Sequence, residues 1–236
     1  MQLDDADFVR RQYESTGRLE ARISVWHPDA GGRWPQDVAL DAIGERSPRR
    51  VLEVGAGTGA FAARCSRKLG CDVVALDASP EMVATSSAAG VESIAGDVQQ
   101  LPFADGSFDV CVAAWMLYHV ADVDRALAEL ARVLQPSGRL VAITNGRDHI
   151  GELWDLVGAP RFESSFSREN GRAQLERHFT SVAATDVHTR AVFPDREAIA
   201  TYLVSLDHGD LVDRLPQLRE PFIARGAPTV FIADRS

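Results

Sequence analysis

Between residues 47 and 145 short apolar runs alternate with stretches of helical periodicity, and few folds accommodate that order. Residues 51–54, 72–76, 91–95, 109–114 and 139–144 read as strands, and residues 60–69, 80–88 and 122–134 as the helices between them. Asp122 is placed to cap the last of these helices, and Pro136-Ser137-Gly138 to stop it. Repeated β-α-β units predict an α/β, Rossmann-like, mostly parallel sheet with helices on both faces. Right-handed crossovers then put a ligand at the carboxyl ends of the strands.

The flanks have a looser texture. Residues 4–44 read as helices broken by turns: one through Phe8, Val9, Gln12 and Tyr13, another through Leu19, Ile23 and Trp26, and a third from Pro35 through Val38, Leu40, Ala42 and Ile43. Residues 27–32 between the last two read as a loop from their Pro and Gly content. Beyond Asn145, residues 150–157, 171–179 and 195–206 look helical and 160–170 irregular, while 182–193 reads as a sixth strand with an extension and 229–233 as a final strand. The expected division is a helical arm or lid at 1–46, a core at 47–145, and a cap insertion with completing strands at 146–236. No internal repeat is present.

The net charge of −9 and a pI near 5.1 argue against a nucleic-acid partner, which needs clustered cations to neutralise phosphates. The cationic run at 46–50 is short and reads as a solvated turn. Cys65 and Cys111 sit in apolar patterns and read as small buried hydrophobes, and the three cysteines form no C-x-x-C pair. No carboxylates stand at metal-ligand spacing, so no metal is expected. The acidic N-terminal stretch lacks a leader's apolar core, and no apolar run reaches the ~18–20 residues that cross a bilayer. A cytoplasmic protein without a membrane partner is expected.

Chemistry concentrates at Glu53-Val54-Gly55-Ala56-Gly57-Thr58-Gly59, between the first strand of the alternating region and its helix. Glycines there let the backbone turn sharply and approach a ligand, and the helix N-terminus offers unpaired N–H groups. Gly55-x-Gly57-x-x-Ala60 also meets the relaxed dinucleotide fingerprint, so a nicotinamide or flavin enzyme stays open. Asp77, ending the next strand, suits the two hydroxyls of a ribose in either case. Asp97 can accept from an adenine amino group while Val98 covers the ring and Met82 packs on its other face. Glu53 separates the two cofactors: an acid there suits the ammonium of a sulfonium amino acid better than an anionic pyrophosphate.

The runs VLEVGAGTG, VVALDASPEMV, GDVQQLPFADGSFDVCVAAWMLYHV and LARVLQPSGRLVAIT resemble the successive motifs of class I S-adenosylmethionine-dependent methyltransferases, most closely the type 11 group. The resemblance covers about residues 50–145. It implies a seven-stranded sheet whose last strand is antiparallel, matching 229–233. It also implies Gly55, Gly57 and Gly59, with Ala56 beside them, around the cofactor's amino-acid portion, Asp77 and Ala78 at the ribose, Asp97 and Val98 at adenine, and backbone near Ala114 and Trp115 at the methionine moiety.

Sulfonium methyl transfer needs positioning and exclusion of water, with a base only where the acceptor must lose a proton. His119 is the base candidate, or else it orients its loop; His149 with Asp148 is a second pair. Tyr13 is placed to close over the cofactor as part of a lid. Trp26, Trp34, Tyr118 and Trp154 are candidates to wall the acceptor site together with His149. Phe162, Phe166 and Phe179, in the cap insertion, either line that site or bind the cap to the sheet. The expected reaction is methylation of an O, N or C atom of a small molecule. Methylation of RNA or protein, and adenosyl-ligand binding without turnover, are the alternatives.

Overall fold

A computed structural model describes residues 22–28, 31–161 and 163–236. Tyr13, the first expected helix at Phe8 to Tyr13, Leu19 and Phe162 lie outside the described residues.

The strands are β1 (Trp26–Pro28), β2 (Arg50–Val54), β3 (Asp72–Asp77), β4 (Glu92–Ala95), β5 (Phe108–Ala114), β6 (Leu134–Asn145), β7 (Ser181–Asp186), β8 (Thr189–Phe193), β9 (Phe222–Gly226) and β10 (Pro228–Asp234). Seven of them form one sheet in the order β4-β3-β2-β5-β6-β10-β7, and β1-β8-β9 form a second, small antiparallel sheet. The first five strands of the large sheet run parallel, and β10 enters antiparallel between β6 and β7. The order steps outward from β2 in both directions, so a topological switch point falls beside the carboxyl end of β2.

The large sheet buries both faces because successive side chains on a strand point to opposite sides. Val51, Val73, Val110 and Val141 pack with Ala39, Leu40 and Ile43 of α1 (Pro35–Gly44) and with Ala62 and Cys65 of α2 (Ala60–Leu69). Leu52, Val74, Cys111 and Leu140 face the opposite side. There α4 (Val123–Val133) contributes Val123, Ala126, Leu127, Leu130 and Val133, a helical stripe at the expected spacing. Helix α3 (Pro80–Ala88) packs on β3 and β4. Its start is set by Pro80 and by Ser79, whose hydroxyl accepts the Met82 N–H at 3.4 Å.

The small sheet has its own core. Val25, Ala191, Phe193 and Ala224 pack with α5 (Gly151–Leu156) and α7 (Arg196–Ser205) through Leu153, Trp154, Ile199, Tyr202 and Leu203. A short helix, α6 (Gly171–Leu175), instead joins the large sheet's core with Phe166 and Phe179. Phe166 and Phe179 therefore bind this segment to the sheet.

Several expectations are corrected. Trp26, read as helical, and His27 and Pro28, read as loop, form β1. The run 182–193 is two strands, and they belong to different sheets. Strand β9 was not expected. Pro136-Ser137-Gly138 lies inside β6, since α4 already ends at Val133.

Candidate active site

The carboxyl ends of β2, β3, β5 and β6 open into a cavity of about 1000 Å³ roofed by the small sheet and its helices. Its sheet side is built on the glycine loop. Gly55 and Gly57 both take positive φ (63° and 56°). A Cβ on Gly55 would meet the Met116 side chain at 2.6 Å, whereas one on Gly57 would meet nothing within 4 Å. The first glycine thus makes room for a neighbouring loop, and the second leaves its backbone open to a ligand.

Asp77 clamps this loop. Its Oδ2 accepts the Gly57 N–H at 2.8 Å and its Oδ1 accepts the Ser79 N–H at 2.9 Å. The Ala56 N–H donates to the Leu76 carbonyl at 3.2 Å, a second tie between the loop and β3. Asp97 closes its own turn by accepting from the Gln99 N–H at 2.8 Å. Glu53, Ala56, Asp77, Ala78, Asp97 and Val98 all line the cavity, as do Ala114 and Trp115.

Trp115 adopts φ 54°, an uncommon conformation for a bulky residue and a sign of strain held by the surroundings. Its N–H donates to the Ile143 carbonyl at 2.8 Å and its indole N–H to Asn145 Oδ1 at 3.2 Å, so two bonds to β6 fix the turn. The turn delivers Met116 against Gly55 and leads into a 3-10 turn at Leu117–His119. Tyr118 and His119 meet edge to face at 4.5 Å and both line the cavity.

Glu53 is the electrostatic centre of the sheet side. It is 3% exposed, and its Oε2 has no hydrogen-bond partner among the described residues. Burial pushes its carboxyl up to about 8, and the Asp77 carboxylate pushes the same way. Gln36, from the first turn of α1, also lines the cavity and holds a buried Oε1 without a partner. Two orphaned acceptor oxygens facing one cavity fit a ligand bearing hydrogen-bond donors, such as an ammonium group. The residues present therefore suit S-adenosylmethionine. Gln36 escaped sequence reading because it precedes the motif region and only the docking of α1 brings it in.

Two sequence candidates stand elsewhere. Met82 is buried in α3 and does not line the cavity. Gly59 does not line it either: its Cβ would meet Ser86 Cβ at 2.6 Å, so this glycine lets α2 and α3 approach. The Asp148–His149 pair is also corrected. Asp148 binds Arg168 at 2.7 Å, while His149 Nδ1 accepts the Ala227 N–H at 3.1 Å.

The roof brings together Trp26, His149, Trp154, Tyr202 and His208, and Trp34 joins the lining from the start of α1. His149 stacks on Trp26, with ring centroids 4.9 Å apart and planes 27° apart. Trp154 meets His208 edge to face at 5.4 Å. The three cysteines are buried and unpaired, and burial raises each thiol, Cys65 to about 12, so none is a ready nucleophile. No group of metal-ligating side chains forms among the described residues. No helix among them is long and apolar enough to cross a membrane.

Known proteins place this architecture. A family model described as a methyltransferase domain matches residues 52–142. An uncharacterised methyltransferase of Mycobacterium tuberculosis is 39% identical over 126 residues, 51% of each chain. A demethylmenaquinone methyltransferase of Beutenbergia cavernae is 43% identical over 104 residues, 43% of each. The chain thus spans about half the length of the curated relatives it matches. A phosphoethanolamine N-methyltransferase of Haemonchus contortus, solved with S-adenosylhomocysteine, shares the fold at a TM-score of 0.63 and 17% identity, covering 100% of this chain and 60% of that one. The segment 52–142 is thus similar to a methyltransferase domain, and it forms the core of a seven-stranded sheet of the kind the sequence resemblance implies.

Proposed function

We propose that this protein transfers a methyl group from S-adenosylmethionine to a small-molecule acceptor. The observation that carries the reading is Glu53, a buried carboxyl with an unpartnered oxygen beside the glycine loop. The ammonium of a sulfonium amino acid placed against it favours the ionised carboxyl and pairs with it, whereas the pyrophosphate of a nicotinamide cofactor opposes that ionisation and gains no such pair. A cavity of about 1000 Å³ stands at the upper end of the ~300–1,000 Å³ usual for small-molecule sites, and suits a cofactor and an acceptor together.

S-adenosylmethionine, when bound, supplies a methyl group already activated on a sulfonium. Gly55, Gly57, Glu53 and Gln36 hold its amino-acid end, Asp77 and Ala78 the ribose, and Asp97 with Val98 the adenine. The strained Trp115 turn sets the wall at Ala114 and Trp115 where the methyl is presented. Roof residues exclude water and align the acceptor. His119 takes the acceptor's proton where the nucleophile is protonated. The protein works in the cytoplasm, whose reducing conditions suit three unpaired thiols. The arm and the cap act as cover for the same site.

Calorimetric titration with S-adenosylhomocysteine, with NADH run beside it, tests the cofactor. Micromolar binding of S-adenosylhomocysteine alone is expected; binding of NADH alone ends the proposal. Asp77→Ala lowers affinity for S-adenosylhomocysteine by about 1–3 kcal/mol. Unchanged affinity would remove the ribose assignment. His119→Ala lowers turnover far more than cofactor affinity, and equal activity at every pH would dismiss the base.

A further inference from the structure

The roof side of the cavity differs from the sheet side in the kind of polar group it offers. Among the described residues, the acids that line the cavity, Glu53, Asp77, Glu81 and Asp97, all belong to the ends of the strands and the loops behind the glycines. The charged groups lining the acceptor side, again among the described residues, are the cations Arg22 and Arg147.

His149 adds a donor of fixed identity. Its Nδ1 accepts the Ala227 N–H at 3.1 Å, so in the neutral ring the proton sits on Nε2. Burial depresses its pKa to about 4, keeping the ring neutral near pH 7. Nε2 has no hydrogen-bond partner among the described residues, and the ring lines the cavity. Asn145 is constrained in the same sense: its Oδ1 is taken by the Trp115 indole N–H at 3.2 Å, which leaves the amide hydrogens to donate. Trp26, Trp34 and Trp154 line the same cavity, Trp26 directly against the His149 ring. Trp26 is held by its stack on His149 and by the pairing of β1 with β8.

Aromatic walls favour a flat apolar body, and donors that face no carboxylate among the described residues favour oxygen over ammonium. We propose that the acceptor is a planar aromatic molecule bearing an oxygen substituent, bound among Trp26, Trp34 and Trp154 with that oxygen accepting the Nε2–H of His149. This assignment rests on the methyltransferase reading only in calling the ligand a methyl acceptor; the site itself stands on the roof. His149 is a specificity residue here. Its Nε2 already carries the proton and has no lone pair with which to act as a base.

Three probes of one skeleton test this: acetophenone, with an oxygen that only accepts; ethylbenzene, without oxygen; and 1-phenylethylammonium, with a cation in its place. Binding to the full chain is followed at pH 7 by ligand-observed NMR, with and without S-adenosylhomocysteine. Acetophenone is expected to bind about ten-fold more tightly than either analogue. His149→Phe preserves the stack on Trp26 and is expected to erase that preference, while His149→Gln, which restores an N–H donor, recovers most of it. Unchanged binding of S-adenosylhomocysteine by both variants shows that they fold. Equal binding of acetophenone and ethylbenzene, preference for the ammonium, binding of none of the three, or a preference intact in His149→Phe would each overturn the proposal. If the wild-type chain fails to bind S-adenosylhomocysteine, the methyltransferase reading falls, and the order of the three probes still decides the roof site.

Discussion

At pH 7 the buried Glu53 carboxyl holds its proton in the cofactor-free protein, because burial has raised it to about 8. An ammonium group placed against it favours the ionised form, so cofactor binding is expected to release close to one proton. Titrations in two buffers of different ionisation enthalpy measure that proton directly. Glu53→Gln removes the release and weakens binding by about 1.5–3 kcal/mol, the worth of a hydrogen bond to a charged group. The same shift bears on stability without ligand. Between the unfolded value of 4.5 and about 8 the native state keeps a proton that the unfolded chain has lost, so stability falls as pH rises through that window. Glu53→Gln flattens the slope.

The last two glycines of the motif have different tasks and predict different costs. Gly59→Ala meets both a positive φ of 73° and the Ser86 Cβ, and lowers folding stability by about 3 kcal/mol. Gly57→Ala meets no neighbour and loses about 1–2 kcal/mol to its backbone conformation, while disturbing the ligand far more. Urea denaturation beside S-adenosylhomocysteine titration separates the two, and a variant pair that behaves alike would contradict the geometry.

Among the elements, those with a repeating local signal were legible. Helices α2 and α3 fall where periodicity and Pro80 placed them, and β2 to β5 sit within a residue of their apolar runs, whereas β6 begins five residues before its run. What escaped has its cause in distant partners. Strand β1 is three residues ending in proline, and it exists because β8, far along the chain, pairs with it at Trp26↔Ala191. Residues 182–193 have uniform strand character, and nothing local says that Asp186 ends in one sheet while Thr189 begins in another. The cofactor loops were readable because one loop contains most of the motif. Met82 was misplaced because helix spacing does not reveal which way α3 faces.

Gly226 tests the small sheet as an element. A Cβ there would meet the Thr189 hydroxyl and come within 2.7 Å of the Trp26 ring. Gly226→Ala is expected to displace Trp26, to weaken aromatic ligands about ten-fold, and to leave S-adenosylhomocysteine binding within two-fold. Equal losses for both ligands would show that the two sides of the cavity do not separate in this way.

For the molecule as a whole, a ligand seated between sheet and roof stabilises both. At a hundred times its dissociation constant, S-adenosylhomocysteine adds about 2.7 kcal/mol to the folded state. For a chain of this size that raises Tm by about 8 °C, read by calorimetry. Hydrogen exchange should slow together at the glycine loop, at the Trp115 turn and at Gln36. Protection confined to the roof would place the adenosyl ligand wrongly.

Strand β7 ends at Asp186, opposite Thr229 of β10, and the Val187 N–H donates to the Pro228 carbonyl at 2.9 Å. Residues 188–227 therefore leave and rejoin the large sheet at one point, as an excursion spliced into a hairpin. A segment whose ends already touch can be exchanged like a cassette, with little loop-closure entropy at stake in its length. Replacing this piece can then reshape the support under Trp26 and His149, through β8 and Ala227, while the adenosyl site, built on strands upstream of it, is inherited unchanged.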